Sequence, residues 1–521
     1  MRKSTPPRRG RILAAGTAAI AALTTLVGCS GSSDPVADHG SATANPDATL
    51  VVGISADPTQ MLPWTETSVQ SLQVLSQIYA TLLNTDDHDQ IAPGLAGLPA
   101  ITDNGGTYTF TLKPGLKFAN GSALDSTDVK YTFDQIINPA TKATSASYFA
   151  SVASVTAPNP TTVVVHMKHP DASFPAGLTN ISTAIVPSDV PVSTLTTTPD
   201  ASGPYTFVSR TPNESITLQR NPNYYAGTPG TAKLQFRIIP NDQSMVSALR
   251  TGSVDLAIFD NPVTAKTATS NTVTIAKVPS LQYHVLQLRA SSPLLSDVNT
   301  RLAIQCAISR QDVINSAALG AGAATGPITS PQFRSDPNDQ PCPDKNEAKA
   351  KQYLAKAGKP GGFTLNLITS QGLYSSAVDE AQSIQSQLGA VGIKVNVDTL
   401  DSNTYVQRWL AGDFDAAIAA NSGNADPSIM YARYFTSDGR FNKVAGYSSS
   451  TLDQLFTQGI ETTDAAKRAA IYHKISQELV NNAAWVWLFT PTKYIALNTS
   501  VHGFSARTDA DLSTLWNATL S

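Results

Sequence analysis

From Ala377 the apolar positions fall at Ala381, Ile384, Leu388 and Val391, in alternating steps of four and three. That period lays one apolar stripe along a helix. Gly392 follows the stripe and can take the left-handed conformation that ends a helix. The period then changes. Ile393, Val395 and Val397 alternate with Lys394, Asn396 and Asp398, which predicts a half-buried strand. Tyr405 and Trp409, four apart, predict a second short helix that stops at Gly412, and Phe414 to Ala420 a second strand with few charges. Helix, strand, helix, strand is α/β architecture. In open α/β sheets, ligands bind beyond the carboxyl ends of the strands. That position is the loop Asn421, Ser422, Gly423, Asn424, Ala425, Asp426 and Pro427, expected to form part of one wall of a ligand cleft.

The same reading extends along the chain. Leu50 to Ile54 is a strand, Asp57 to Trp64 a loop, and Val69, Leu72, Leu75, Tyr79 and Leu82 mark a helix. Thr107 to Leu112 alternates as a strand before the turn Lys113-Pro114-Gly115. Ser126 is placed to cap a helix carrying Val129, Phe133 and Ile136, and Val163 to Met167 is another strand. Residues 86–202 therefore read as a mixed α+β insertion. Strands follow at Ile216 to Gln219, Leu234 to Ile239 and Val254 to Ile258, with a helix through Met245 and Leu249 that Gly252 ends. Tyr283 to Leu288 crosses into a second large lobe.

Composition sharpens the picture. A chain of 521 residues exceeds what one hydrophobic core usually serves, so two or three domains are expected. Charged residues make up 14%, well below the usual ~25%. The surface therefore relies on Ser, Thr, Asn and Gln, and no basic stripe points to nucleic acid. The first residues form a targeting segment: Arg2, Lys3, Arg8, Arg9 and Arg11 precede the uncharged run Ile12 to Gly28, which ends at Leu26-Val27-Gly28-Cys29. That ending resembles the bacterial lipobox, which implies cleavage before Cys29 and lipid on Cys29, while the polar, aperiodic residues 29–48 read as a flexible tether. Loss of residues 1–28 takes five of the 36 basic residues and none of the 39 acidic ones, leaving a formal charge of −8. No later stretch reaches the ~20 apolar residues that span a bilayer. Of three cysteines, Cys306 and Cys342 remain. Outside the cell they are expected to be bridged, the alternative being two buried thiols.

Enzyme chemistry is not visible. His166 and His169 stand three apart on a strand and so face opposite sides, which argues against one metal site. The chain has no His-Glu-x-x-His, no phosphate-binding glycine-rich loop with its lysine, and no Gly-x-Ser-x-Gly elbow. Neither a cofactor nor a metal is expected.

Several segments together resemble one family. Leu112-Lys-Pro-Gly-Leu-Lys-Phe118 with Asn120-Gly121 and Asp128-Val129, then Gly203-Pro-Tyr205, Arg220-Asn-Pro-Asn-Tyr-Tyr225 and Gly252-Ser-Val-Asp-Leu256, are similar to motifs of the peptide/nickel-type (family 5) solute-binding proteins of bacterial ABC importers. The run Val298 to Ile314, with Arg301, Ala303, Ile308, Arg310 and Val313, matches as well. The resemblance implies a bilobal α/β clamshell with a hinge and an extra α+β domain. Its first lobe would comprise 49–85, 203–283 and 484–521, its extra domain 86–202 and its second lobe 284–483. Such proteins close by a hinge around a solute, and a ligand that touches both lobes drives closure by its differential affinity. The implied partners are a peptide or peptide-like solute, ABC permease subunits, and the membrane through the lipid, with the receptor itself a monomer.

Departures from the family bear on the solute. Peptide binders of this kind place an aspartate in the loop after the Phe-Asp strand to take the peptide ammonium. That position maps to Gly423 or Asn424, and neither is acidic. Asp426 either substitutes for it or caps the loop before Pro427. Asn421 and Ser422 replace further family residues. A more neutral solute is expected, and Gly423→Asp is expected to improve binding of free-amine dipeptides. Trp64, in the loop where the family lines its pocket, and Tyr405 and Trp409 are further candidate contacts, the alternative being internal packing. An oligosaccharide receptor, or a non-transporting clamshell lipoprotein that regulates envelope assembly, are the competing readings.

Overall fold

The computed structural model describes residues 45–66 and 68–521. The signal segment 1–28, Cys29 and the tether up to residue 44 lie outside the described residues. The backbone of the molecule is a twelve-stranded mixed sheet. In one half, Thr49–Ile54 pairs in parallel with both Lys233–Ile238 and Leu256–Phe259, and Ser215–Arg220 and Tyr205–Thr211 continue the sheet as antiparallel neighbours. In the other half, Thr364–Gln371 lies parallel to Lys394–Asp401 and to Ala416–Asn421, and Tyr283–Leu288 runs antiparallel to Ala416–Asn421.

One strand joins the halves. Trp485–Asn498 pairs with Tyr283–Leu288 through its first residues and with Leu256–Phe259 and Val273–Pro279 through its last. The chain also passes between the halves at Ser280–Leu281, where Ser280 N donates to Pro491 O at 3.1 Å. Among the described residues these two crossings lie side by side in the sheet. Alternation along the strand Tyr283–Leu288 divides the second half's core into two layers. Leu286 and Leu288 join a layer with Ala381, Ile384 and Leu388, while Tyr283 and Val285 join one with Tyr431, Trp485 and Trp487.

The segment between the first strand and Tyr205 builds its own four-stranded antiparallel sheet, Ala100–Thr102, Thr107–Thr111, Thr162–Met167 and Val152–Asn159. Phe133 from the helix Ser126–Ile137 meets Phe149 edge to face at 4.9 Å, and Phe149 meets Phe174 at 5.6 Å. Edge-to-face rings set the negative face of one against the positive edge of the next.

Most expected elements are present. The stripe from Ala377 forms the helix Ala377–Gly389, with Ala377, Ala381, Ile384 and Leu388 fully buried. The next helix, Ser402–Ala411, ends on Gly412 in the left-handed conformation. Two expectations are corrected. The helix expected from Val69 to Leu82 stops at Leu75. Beyond it the carbonyls of Gln77 and Ile78 accept from Tyr205 N and Gly203 N, so long-range pairing replaces the helical ladder. The cap of the helix through Phe133 is Asp125, not Ser126. Its carboxylate accepts from Thr127 N, while Asp128 reaches back to Asp125 N in a capping box. Cys306, on the helix Val298–Ala307, is bridged to Cys342, with Cα atoms 5.1 Å apart.

Candidate functional site

The loop after Ala416–Asn421 is held from behind. Asp426 caps the helix Pro427–Phe435, and its Oδ1 accepts from Ser428 N at 3.0 Å and Ser428 Oγ at 2.7 Å. The same carboxylate takes two bonds from Arg468, Nη1 to Oδ2 at 2.5 Å and Nη2 to Oδ1 at 3.0 Å. Both side chains are buried. The Asp426 charge, beside Arg468, keeps the guanidinium protonated against the cost of burial. Arg468 also donates from Nε to Gly459 O, tying the loop to the helix before Ala465. Asn424 Oδ1 then accepts from Asp426 N, and Ser330 Oγ donates to Asn424 O.

In front of this loop lies a cavity of about 340 Å³. Its walls come from distant parts of the chain: Val69, Leu72 and Gln73 on the short helix, Ala176 and Thr179 to Ile181, Leu281 and Pro331, Gly423 to Ala425, and Thr508 to Leu512. A smaller space of about 180 Å³ adjoins it and shares Ser76, Thr85, Thr179, Ile181 and Asp511. The Asn424 side chain faces the Tyr148 hydroxyl and offsets part of the rise that burial gives its pKa. Ala172 N donates to Ile460 O at 2.7 Å, a second contact between the extra sheet's segment and the half that carries Gly423.

The C-terminal wall is built on strained backbone. Asp509 (φ 59°) and Ala510 (φ 55°) are successive non-glycine residues in the left-handed region. Asp509 Oδ1 accepts from Leu281 N at 2.8 Å and from Ser280 Oγ, so this wall is pinned to one of the two crossings. Burial raises the Asp509 carboxyl above its usual range, and these two bonds and the Lys493 charge oppose the rise. Thr508 Oγ1 donates to Asp89 Oδ2 at 2.7 Å, which brings Asp89 to the same wall.

Of the residues singled out from sequence, Gly423 and Asn424 line the cavity. Asn421 is buried behind it, accepting from Tyr434 OH, and Ser422 is exposed outside it. Asp426 is buried behind the loop. Trp64 is fully buried and donates from Nε1 to Ala184 O at 3.1 Å. Tyr405 donates to Ile418 O at 2.6 Å, and Trp409 Nε1 to Gln287 Oε1 at 2.7 Å, both under the sheet. A Cβ added at Gly423 would stand 2.2 Å from Leu281 O and 2.4 Å from Leu281 Cβ. The expected gain from Gly423→Asp is therefore corrected: the backbone of the crossing occupies the room that side chain needs. Sequence reading missed Asp89, Asp509 and Asp511. The available signal was Thr508-Asp-Ala-Asp-Leu512, two aspartates among small residues in a chain poor in charge.

Comparison with known proteins follows the same architecture. The family model for bacterial extracellular solute-binding proteins, family 5 Middle, matches residues 90–443. The oligopeptide-binding protein AppA of Bacillus subtilis (strain 168) is 26% identical over 520 residues, covering 94% of each chain. The probable D,D-dipeptide-binding periplasmic protein DdpA of Escherichia coli (strain K12) is 29% identical over 488 residues, covering 88% of this chain and 92% of its own. Among solved structures, the ABC transporter substrate binding protein CtaP of Listeria monocytogenes superposes with a TM-score of 0.83 at 23% identity, over 91% of this chain and all of its own. AppA of B. subtilis in complex with a nonapeptide gives 0.73 at 24% identity, over 92% of this chain and all of its own.

Proposed function

The chain belongs to the bacterial extracellular solute-binding proteins of family 5, and on that premise we propose that it is the lipid-anchored receptor of an ABC importer for peptides or small peptide-like solutes. Members of this family are extracytoplasmic transport receptors and not enzymes, and their fold is a bilobal clamshell. The observation that carries the solute reading is the cavity of about 340 Å³ where Gly423 to Ala425 face Val69, Leu72 and Gln73 and Thr508 to Leu512. Its volume sits at the lower end of the ~300–1,000 Å³ usual for small-molecule sites. Relatives named for oligopeptide, D,D-dipeptide and glutathione binding support the peptide class.

We assign 49–85, 203–283 and 484–521 to the first lobe, 86–202 to the extra domain and 284–483 to the second lobe. The hinge on this reading is the pair of crossings at Ser280–Leu281 and Phe489–Pro491, a few residues inside these first-lobe bounds, and the cavity lies between lobes. A solute there touches both lobes, so its binding free energy favours closure. The closed receptor then presents the solute to permease subunits. Asp426 serves the site by holding Asn424 and Ala425 in place, since its own charge is matched by Arg468.

Native mass spectrometry of protein purified from its own cells tests the solute. A co-purified mass of a small peptide or peptide derivative is expected; a sugar or a bare metal chelate would refute the peptide class. The anchor is tested separately: Cys29→Ala should move the protein from the membrane fraction to the soluble fraction, and unchanged fractionation would refute lipidation at Cys29.

A further inference from the structure

Three aspartates, Asp89, Asp509 and Asp511, line the cavity of about 340 Å³, and no lysine, arginine or histidine does. The neighbouring cations lie outside it, Arg507 lining the smaller adjoining space, and each is held by partners of its own. Lys493 pairs with Asp260 at 2.7 Å. Arg507 donates to the carbonyls of Thr85 and Asp86 and to Ser513 Oγ. Asp511 is oriented by Ser513, whose N and Oγ both donate to it, and Asp89 by Thr508. Asp509 has its Oδ1 taken by Ser280 and Leu281, and no donor among the described residues reaches its Oδ2. The facing wall of Gly423, Asn424 and Ala425 carries no charge.

A half-enclosed space with one sign of charge and low-dielectric walls concentrates ions of the opposite sign. A cation here offsets the repulsion between Asp509 and Asp89 and gives the Asp509 carboxylate a charged partner. A ligand carboxylate meets no cationic partner in the cavity, and three carboxylates of its own sign oppose it. We infer that this receptor selects a small amine-bearing cation without a free carboxylate, and that its ammonium group is held by Asp509 and Asp89 on the C-terminal wall instead of by the loop at Gly423 and Asn424. The neutral end of the solute then lies against Asn180, Asn424 and Ala425, which offer amide and backbone groups only. The inference rests on the peptide-receptor reading for the shape of the solute and on the wall charges for its sign. It reverses the neutral solute expected from the loop alone.

Calorimetric titration of the mature protein with four probes tests it: alanyl-alanine amide, alanyl-alanine, N-acetyl-alanyl-alanine amide, and 1,4-diaminobutane as a cation with no peptide bond. Alanyl-alanine amide is expected to bind at least tenfold more tightly than either the zwitterion or the acetylated form. Asp509→Asn should remove most of that preference, and Asp89→Asn should reduce it, neither with a lowered unfolding midpoint. Tighter binding of the zwitterion or of the acetylated amide overturns the inference and leaves the peptide reading standing. Binding of the diamine with no response to any dipeptide form overturns the peptide reading and leaves the charge inference standing. Silence from all four overturns both.

Discussion

Asp426 and Gly423 stand three residues apart and fail, for opposite reasons, to do what their sequence positions invite. Asp426 has the right charge to meet an ammonium, but Arg468 and Ser428 use both of its oxygens. Removing one member of a buried ion pair strands the other. Asp426→Asn should therefore cost about 3–5 kcal/mol in urea unfolding, because the Arg468 charge stays buried without its partner. Gly423 has the right position but no room. Gly423→Ala should cost about 1–3 kcal/mol by overpacking against Leu281, read by the same method. Asp509 gives the pH dependence. Burial raises its folded pKa, so its contribution to stability is complete below the ordinary value of 3.8 and is lost as pH rises through the raised one. Without ligand, Asp509→Asn should melt above the parent protein near neutral pH. The difference should vanish in acid, where the parent carboxyl is also uncharged. Differential scanning calorimetry across that range checks both the sign and the window.

Among elements, capping and cross-linking decide what propensity leaves open. The helix Val298–Ala307 carries Cys306, and the bridge to Cys342 spans 36 residues of sequence. Asn346 N donates to Cys306 O, and Arg310 Nη2 to Pro343 O, so hydrogen bonds hold the same junction. On the chain-entropy account a loop of this length contributes ~3–4 kcal/mol by restricting the unfolded state. The double variant Cys306→Ala/Cys342→Ala should lose about that much in denaturant while keeping its affinity for solute, since the bridge is remote from the cavity. The short helix Val69–Leu75 makes the converse point. Its apolar period continues to Leu82, yet the backbone leaves the helix after Leu75, because Gly203 and Tyr205 supply the hydrogen bonds that a helical ladder would have made. This early stop sets Ser76 into both spaces of the site.

For the whole molecule, two adjacent crossings, with Ser280 N donating to Pro491 O, join the halves of one sheet, and the proposed hinge runs through them. The C-terminal wall is tied to one of these crossings through Asp509, so on the proposed reading hinge and site move together. Small-angle scattering with and without saturating solute should show a fall in radius of gyration on binding. The unfolding temperature should rise with solute concentration, by ~2.7 kcal/mol of added stability at a hundredfold excess over Kd. A profile that is unchanged while calorimetry registers binding would contradict closure.

How much of this was legible follows from the range of each interaction. Periodicity is local, so the stripe from Ala377, the alternation at Ile393 to Val397 and the stop at Gly412 all carried over into the fold. Motif order, from Leu112 to Val313, was sufficient to point to the family. The loop at Gly423 was legible as a cavity wall because strand direction fixes where a loop emerges. The aspartates at 89, 509 and 511 were not, because they approach one another only after the chain has passed through both lobes and returned. Nor could Asp426 be told from a ligand residue until Arg468, forty-two positions on, was found beside it. The sequence by itself determined the elements, their order and the kind of molecule. Only the tertiary structure decided the sign of the cavity, since charge in an enclosed space is a sum over residues that the chain order keeps apart.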